Sequence, residues 1–545
     1  MFYMPEFDTV VVGSGAAGMT AALTAARRGL STVVLEKADR FGGSTARSGG
    51  GIWIPNNEVL ARAGVHDSDE DARAYLASIV GADVSAERQR AYLDHGPRML
   101  SFVLANSPLR LRWVAGYSDY YPERPGGRPR GRSVEPRPFD ANLLGDDRRL
   151  LAKPYVPSPL PITAADYKWL TLIARNVRGP ARAARVGVRG IIGRLRGQRL
   201  LTMGQALAAG LRVGLSRAGV EVHLDTPLVS LLTEGDRVVG VVTPTGEYRA
   251  RYGVLIASGG FERNEAMRSK WQDIGIDWTV GAPSNEGDGI LAGQELGADV
   301  ALMDDAWWGP SIPLSGGPYF CLSERTLPGC ILVNGEGRRF VNEAAPYVDA
   351  VHAMRDTGSV PAWLIADQRY RDRYIFAGVP PRRPLPGRWH KCGAVHKAQT
   401  LAELASAIGA PAEALQDTVS TFNGYARTGK DQDFGRGDSA YDHYYGDPRV
   451  RPNPSLAELV KPPFYAVRIV PGDLGTKGGL CTDVDGRVLR PDGTAIPGLY
   501  AAGNASASVM GHTYAGPGAT IGPAMTFGYL AALAMSAVKE QPGVH

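Results

Sequence analysis

The chain has 545 residues, 44% apolar and 21% charged, a balance that supports large buried cores and excludes a disordered or fibrous chain. Its four cysteines, Cys321, Cys330, Cys392 and Cys481, are too few and too scattered for a disulfide scaffold or a CxxC zinc site, and they fit a reducing compartment. The formal charge of +5 is local: nine basic and no acidic residues lie between Lys168 and Arg199, the remainder is net acidic, and a general nucleic-acid binder is excluded.

In chain order, Phe7–Val12 reads as a strand, 18–28 as an alanine-rich helix ended by Gly29, and 31–35 as a second strand closing on Glu36. No signal peptide or transmembrane helix is expected. Residues 40–57 are glycine- and serine-rich and too polar for core, 68–105 are helical, and 116–138 form a loop rich in proline, glycine and arginine. The basic stretch has apolar residues at helical spacing interrupted by Gly179-Pro180. Strand alternation covers 220–256, with a hairpin turn near Glu234–Asp236, and runs into the glycines of 254–261. Residues 308–475 are richer in proline, tryptophan and tyrosine and read as an inserted domain. From Gly493 to Val538 there is no Asp, Glu, Lys or Arg, and the Gly, Ser, Thr and Pro content of that run favours the wall of a buried cofactor over a membrane span.

The predicted fold is α/β: a Rossmann-like FAD-binding domain, a parallel sheet with helices, in two parts (1–307 and 476–545), interrupted by an α+β catalytic domain at 308–475. The cofactor is read from Gly13-Ser14-Gly15-Ala16-Ala17-Gly18, a GxGxxG that follows a strand, opens a helix and is followed by Glu36 at the end of the next strand. Gly13 makes the turn, Gly15 lets backbone amides reach a pyrophosphate at the helix N-terminus, Gly18 lets helix and strand pack closely, and Glu36 can accept from a ribose. Gly43, Ser44 and Thr45 form a second glycine-and-hydroxyl loop, and Gly503-Asn504 ends a late strand. Both favour FAD over NAD. A glycine run before Ile521 aims a helix N-terminus at the flavin. Only one GxGxxG unit is present, so electrons are expected from the substrate.

Taken together, GSGAAG (13–18), FGGSTARSGGG (41–51, including Gly50 and Gly51), SDYYPERPGG (118–127), DDAWWGP (304–310), RRFVNEAAPY (338–347), GDLGTKGG (472–479) and GHTYAGPGATIGPAMTFGYLAA (511–532) resemble the FAD-dependent 3-ketosteroid Δ1-dehydrogenases. These enzymes belong to the fumarate-reductase and succinate-dehydrogenase flavoprotein superfamily. The resemblance implies that Tyr514 and the Gly518 amide polarise a steroid 3-keto oxygen, that Tyr347 removes the C2 proton, and that Tyr120 assists, with Tyr121 as its substitute. The chemistry asks for such groups. A C2 hydrogen is too weakly acidic until its carbonyl is polarised, and a tyrosine base of pKa ~10 needs help to ionise. No metal is required.

Other residues have structural readings: Glu343 as a structural carboxylate, His512 as a satisfied buried histidine, Trp307 and Trp308 as packing. Tyr319 lies in a pocket loop. The basic stretch 168–199 is either a solvated face or a dock for an anionic membrane carrying the steroid and a quinone-like acceptor. The expected location is cytoplasmic, with or without membrane attachment. Three other readings stay open: a C4–C5 dehydrogenase of 5α-3-ketosteroids, a fumarate-reductase-like enzyme, and a flavin redox module without its own substrate.

Overall fold

The computed structural model describes residues 6–540. Its central sheet has eight strands, five of them parallel in the order Ala495–Ala501, Gly246–Ile256, Glu6–Val12, Thr32–Leu35, Glu221–His223. Val10–Val12, Val33–Leu35 and Val254–Ile256 are continuous buried apolar runs because both faces of the sheet are covered. Val10, Val33, Val254 and Ile256 join one core layer and Val11, Val34 and Leu255 the other. In register, Val12 stands beside Leu35 and Ile256, and Ile256 beside Ala501. The segments that follow, opening at Gly13, Glu36, Ala257 and Ala502, therefore leave one edge of the sheet together. That edge is where ligands bind in open α/β sheets.

Helix Ala16–Arg27 packs against the C-terminal helix Ile521–Lys539. The latter is long and apolar enough to cross a membrane, yet 78% of its apolar window is buried inside the protein. Gly18 fits this packing for a steric reason: a Cβ there would lie 1.9 Å from the Gly13 carbonyl oxygen.

A second, antiparallel sheet has six strands, running from Ala306–Leu314 to Phe464–Thr476. Strand Phe464–Thr476 is its spine and pairs with Ala306–Leu314, Ala362–Asp367 and Val395–Ala398.

Four expectations need correction. Segment 40–57 is core rather than polar loop: Phe41, Ile52, Trp53 and Ile54 are all buried, the glycines around them allowing close backbone approach. The helical stretch 68–105 is two helices, Asp69–Val80 and Ala86–Asn106, separated at Gly81, whose φ of +60° ends the first. The loop 116–138 contains a strand, Ser133–Pro136. Gly179-Pro180 does not interrupt a helix. It lies in the first turn of Arg178–Leu195, where a missing N–H costs nothing, and the break falls between Thr171 and Arg178.

Candidate active site

At the sheet edge, the Ser14 hydroxyl and amide donate to Glu36 Oε2 at 2.5 and 2.9 Å, and Gly42 N–H donates to Ser14 Oγ at 2.9 Å. Thr45 Oγ1 accepts from Ala16 N–H at 2.9 Å, which ties the second glycine loop to the first. Ser44 Oγ accepts from Asn285 Nδ2 at 3.0 Å. A Cβ at Gly15 would meet nothing nearer than Thr45 Oγ1 at 3.7 Å, and one at Gly43 nothing within 4 Å, so the two loops leave an open face.

Helices Ala16–Arg27 and Ile521–Lys539 both start without a hydrogen-bonding side-chain cap and without an acidic residue in the first turn. Gly503 lies between them: a Cβ there would be 3.2 Å from Ala17 Cβ and 3.7 Å from Ala524 Cβ. Two positive helix ends facing one charge-free strand end suit a long anionic cofactor. A narrow cleft lined by Trp307, Gly503, Asn504, Thr520 and Ala524 opens there. Gly51 lies against Pro517 and Gly518, and Gly50 against Met203. The donor set and the open face fit a dinucleotide such as FAD.

Beside this cleft three tyrosines meet. Tyr120, Tyr347 and Tyr514 have ring centroids 5.1 to 5.5 Å apart in every pairing. They come from remote parts of the chain. Tyr120 lies on a loop whose amide donates to the Ala515 carbonyl at 3.1 Å, next to Tyr514. Its neighbour Asp119 is buried, accepts from Trp53 Nε1 at 2.8 Å and is paired with Arg132, which fixes the loop. Tyr347 is the first residue of helix Tyr347–Asp356. Tyr514 precedes the C-terminal helix, and its hydroxyl accepts from Thr520 Oγ1 at 3.0 Å.

Gly518 follows four residues after Tyr514 in the glycine-rich turn that leads into the C-terminal helix, so its amide and the Tyr514 hydroxyl belong to one segment. Only glycine fits at 518. Its φ is +99°, and a Cβ would lie 2.4 Å from Gly51 backbone. Burial pushes all three phenols above their ordinary pKa, Tyr120 and Tyr347 well above it. At Tyr347 the Tyr120 hydroxyl works in the opposite direction.

Tyr121 is not interchangeable with Tyr120, because its hydroxyl donates to Asp349 Oδ1 at 2.8 Å. Tyr319 is turned to Glu324, donating at 2.8 Å. Glu343 is fully buried, accepts from Arg339 at 2.8 and 2.9 Å and from Arg436 at 3.0 Å, and holds the segment leading to Tyr347. His512 is not the buried histidine expected. Its side chain is 44% exposed, and Nδ1 lies 3.3 Å from Asp305 Oδ2. The Asp305 hydrogen bond raises its pKa. Asp305 also accepts from the fully buried Lys477 at 2.9 Å, and Lys477 donates to the Thr513 carbonyl at 3.2 Å.

The aromatic wall was missed by sequence reasoning. Trp307, read as packing, stands edge-on to Tyr514 at 4.9 Å and donates from Nε1 to Asn504 Oδ1 at 3.0 Å. Phe320 meets Tyr347 at 5.2 Å and Tyr441 meets Tyr120 at 4.7 Å, while Tyr117 stacks on Tyr444 at 4.1 Å. No local pattern marks them beyond the density of tyrosine in 441–445.

Comparison with known proteins adds the family. Residues 8–521 match the FAD binding domain model. The chain is 57% identical to the 3-oxosteroid 1-dehydrogenase of Mycolicibacterium smegmatis, across 98% of this chain and 99% of that one. It is 58% identical to the enzyme of the same name from Mycobacterium tuberculosis, across 98% of each. Among solved structures, the 3-ketosteroid Δ1-dehydrogenase from Sterolibacterium denitrificans, in complex with 1,4-androstadiene-3,17-dione, superposes with a TM-score of 0.93 at 41% identity, covering 98% of this chain and all of that one. A cofactor cradle at the sheet edge, a triad of buried phenols beside it and full-length likeness converge: this chain is an FAD-dependent oxidoreductase of the 3-oxosteroid 1-dehydrogenase family.

Proposed function

We propose that this enzyme introduces a C1–C2 double bond into 3-ketosteroids. The observation that carries the reading is the convergence of Tyr120, Tyr347 and Tyr514 in one buried aromatic cluster, with Gly518 in the turn that carries Tyr514. Tyr514 and Gly518 donate to the 3-keto oxygen and carry the charge that develops there, each donor being worth ~3 kcal/mol in such sites. Tyr347 takes the proton from C2. Tyr120, the hydroxyl that lowers Tyr347 against its burial, stabilises the phenolate that this transfer requires. The rate therefore rises toward alkaline pH. The aromatic wall of Trp307, Phe320 and Tyr441 excludes water and packs on an apolar ring system.

FAD, when bound, supplies the acceptor for the hydride that leaves C1. Gly13 to Gly18, Glu36, Gly43 to Thr45, Gly50, Gly51, Gly503, Asn504 and the N-terminus at Ile521 would hold it. We read 308–475 as the substrate domain inserted between two FAD-binding parts. The antiparallel sheet over this stretch supports that division. The enzyme works in the cytoplasm against a membrane surface, to which the basic stretch 168–199 attaches it and from which a quinone-like acceptor takes the electrons. Arg178, Arg185, Arg194, Arg196 and Arg199, exposed and without a carboxylate partner among the described residues, support this reading.

The test is anaerobic titration of the purified yellow protein with a 3-keto-4-ene steroid. Steroid alone bleaches the flavin. Tyr347→Phe slows bleaching by about 10²–10⁴-fold and Tyr514→Phe by about 10²–10³-fold. Undiminished rates in both variants overturn the assignment.

A further inference from the structure

Helix Arg178–Leu195 turns its apolar stripe away from the protein. Val177, Ala181, Ala184, Val188, Ile191 and Leu195 recur at alternating spacings of four and three, which places them on one line of a helix with about 3.6 residues per turn. All six are exposed, Val177 by 86% and Leu195 by 81%. The residues buried against the protein, Gly179, Val186 and Gly193, lie on the opposite side. Arg178, Arg182, Arg185, Arg189 and Arg196 follow one flank of the stripe. Leu143 and Leu160, 51% and 45% exposed, lie on neighbouring loops that Asn142 and Arg189 tie to this helix and its C-terminal end.

Against the same flank opens a cleft of about 420 Å³. Four guanidinium groups line it, those of Arg112, Arg137, Arg185 and Arg189, together with Val188 and Ile192. Glu135 holds Arg112 at 2.6 Å and Asp166 holds Arg189 at 2.7 Å, both carboxylates being buried behind the cleft. Arg137 and Arg185 are exposed and have no carboxylate partner among the described residues. Two unneutralised guanidiniums thus share a lip with exposed aliphatic side chains. The complementary ligand is an anionic head attached to an apolar body.

We propose that this face docks on a bilayer of anionic phospholipid, with the Val177–Leu195 stripe in the acyl boundary and a headgroup phosphate seated between Arg137 and Arg185. The proposal rests on the membrane contact read above and names its chemistry. The face adjoins the aromatic pocket through the segment that precedes the helix. The Lys168 ammonium lies 4.1 Å from the Tyr444 ring centroid, Tyr167 hydrogen-bonds Ser323 at 3.3 Å, and the Tyr155 hydroxyl donates to the Pro318 carbonyl.

The test is flotation of the FAD-loaded enzyme with phosphatidylcholine vesicles, with and without phosphatidylglycerol. Wild type floats with the anionic vesicles. Arg137→Ala/Arg185→Ala lowers that partition by about tenfold or more while turnover of dispersed steroid and flavin content stay unchanged. Val188→Ser/Ile191→Ser/Leu195→Ser lowers partition as well, by removing buried apolar area. Wild type that floats with neither vesicle overturns the membrane reading itself. Wild type that floats, with the double arginine variant floating equally, leaves that reading standing and overturns the headgroup site. Inorganic phosphate that saturates the cleft at millimolar concentration while flotation stays unchanged overturns the lipid assignment in favour of a free anion.

Discussion

The cofactor cradle and the aromatic pocket lie side by side and are built by different means. The cradle is backbone: two glycine loops and two helix N-termini at one sheet edge, most of it written in contiguous motifs. The pocket is side chain: phenols from positions 120, 347 and 514, brought within 5.1 to 5.5 Å by three separate elements. The cradle provides fixed dipoles that need no titration. In the proposed reaction the pocket moves a proton with groups that burial pushes toward the neutral form. The cradle depends on its glycines and on the Ser14, Glu36 and Thr45 oxygens that tie its loops, whereas the pocket depends on three phenols from remote segments.

Four substitutions sharpen this contrast. The largest effect belongs to the pocket: Tyr347→Phe lowers kcat by about 10²–10⁴-fold with flavin content and Tm unchanged, read by steady-state turnover and the visible spectrum. Flavin loss in that variant would erase the separation between the regions. Next comes the seam between them. Asp305 is the carboxylate partner of Lys477, which is fully buried and grips the carbonyl of Thr513 beside Tyr514. Asp305→Ala strands that charge and costs about 3–5 kcal/mol in denaturant unfolding.

In the cradle, Gly18→Ala forces a methyl into the Gly13 carbonyl and costs about 1–3 kcal/mol, with flavin released on gel filtration rather than turnover lost per bound flavin. The smallest effect depends on pH. Glu262, buried beside Asn285 and Thr476, has its pKa raised to about 7, by burial first and then by Asp473. A carboxyl with a folded pKa above its unfolded value binds the extra proton in the folded state. Its contribution is fully present below the unfolded pKa near ~4.3 and lost as pH rises to about 7. Glu262→Gln therefore raises Tm at pH 8 relative to wild type and leaves it little changed at pH 4. Equal shifts at both pH values would rule out the titration.

The cradle was legible because its physics is local. Gly13, Gly15, Gly18 and Glu36 stand at spacings fixed by one strand, one helix and the next strand. What stayed hidden was the use of Ser14 as the link between Glu36 and Gly42, since serine at that position has no spacing signal. The three tyrosines came from family resemblance alone. Nothing in their surroundings distinguishes Tyr347 from the other 21 tyrosines until the chain is folded. Trp307 looked like packing because its partner, Asn504, is 197 positions away.

By itself the sequence determined the parallel βαβ start, the cofactor class, the uneven charge and the helical spacing within the basic stretch. Each depends on neighbours a few positions apart, so chain order already contains it. The tertiary structure decided which phenols meet, how strongly burial suppresses their ionisation, and that the glycine-rich 40–57 is core. It also decided which side of the basic helix the protein covers. Periodicity defines an apolar stripe without saying whether core or solvent receives it. Here Gly179 and Gly193 let the other side approach the fold, and the stripe is left facing outward.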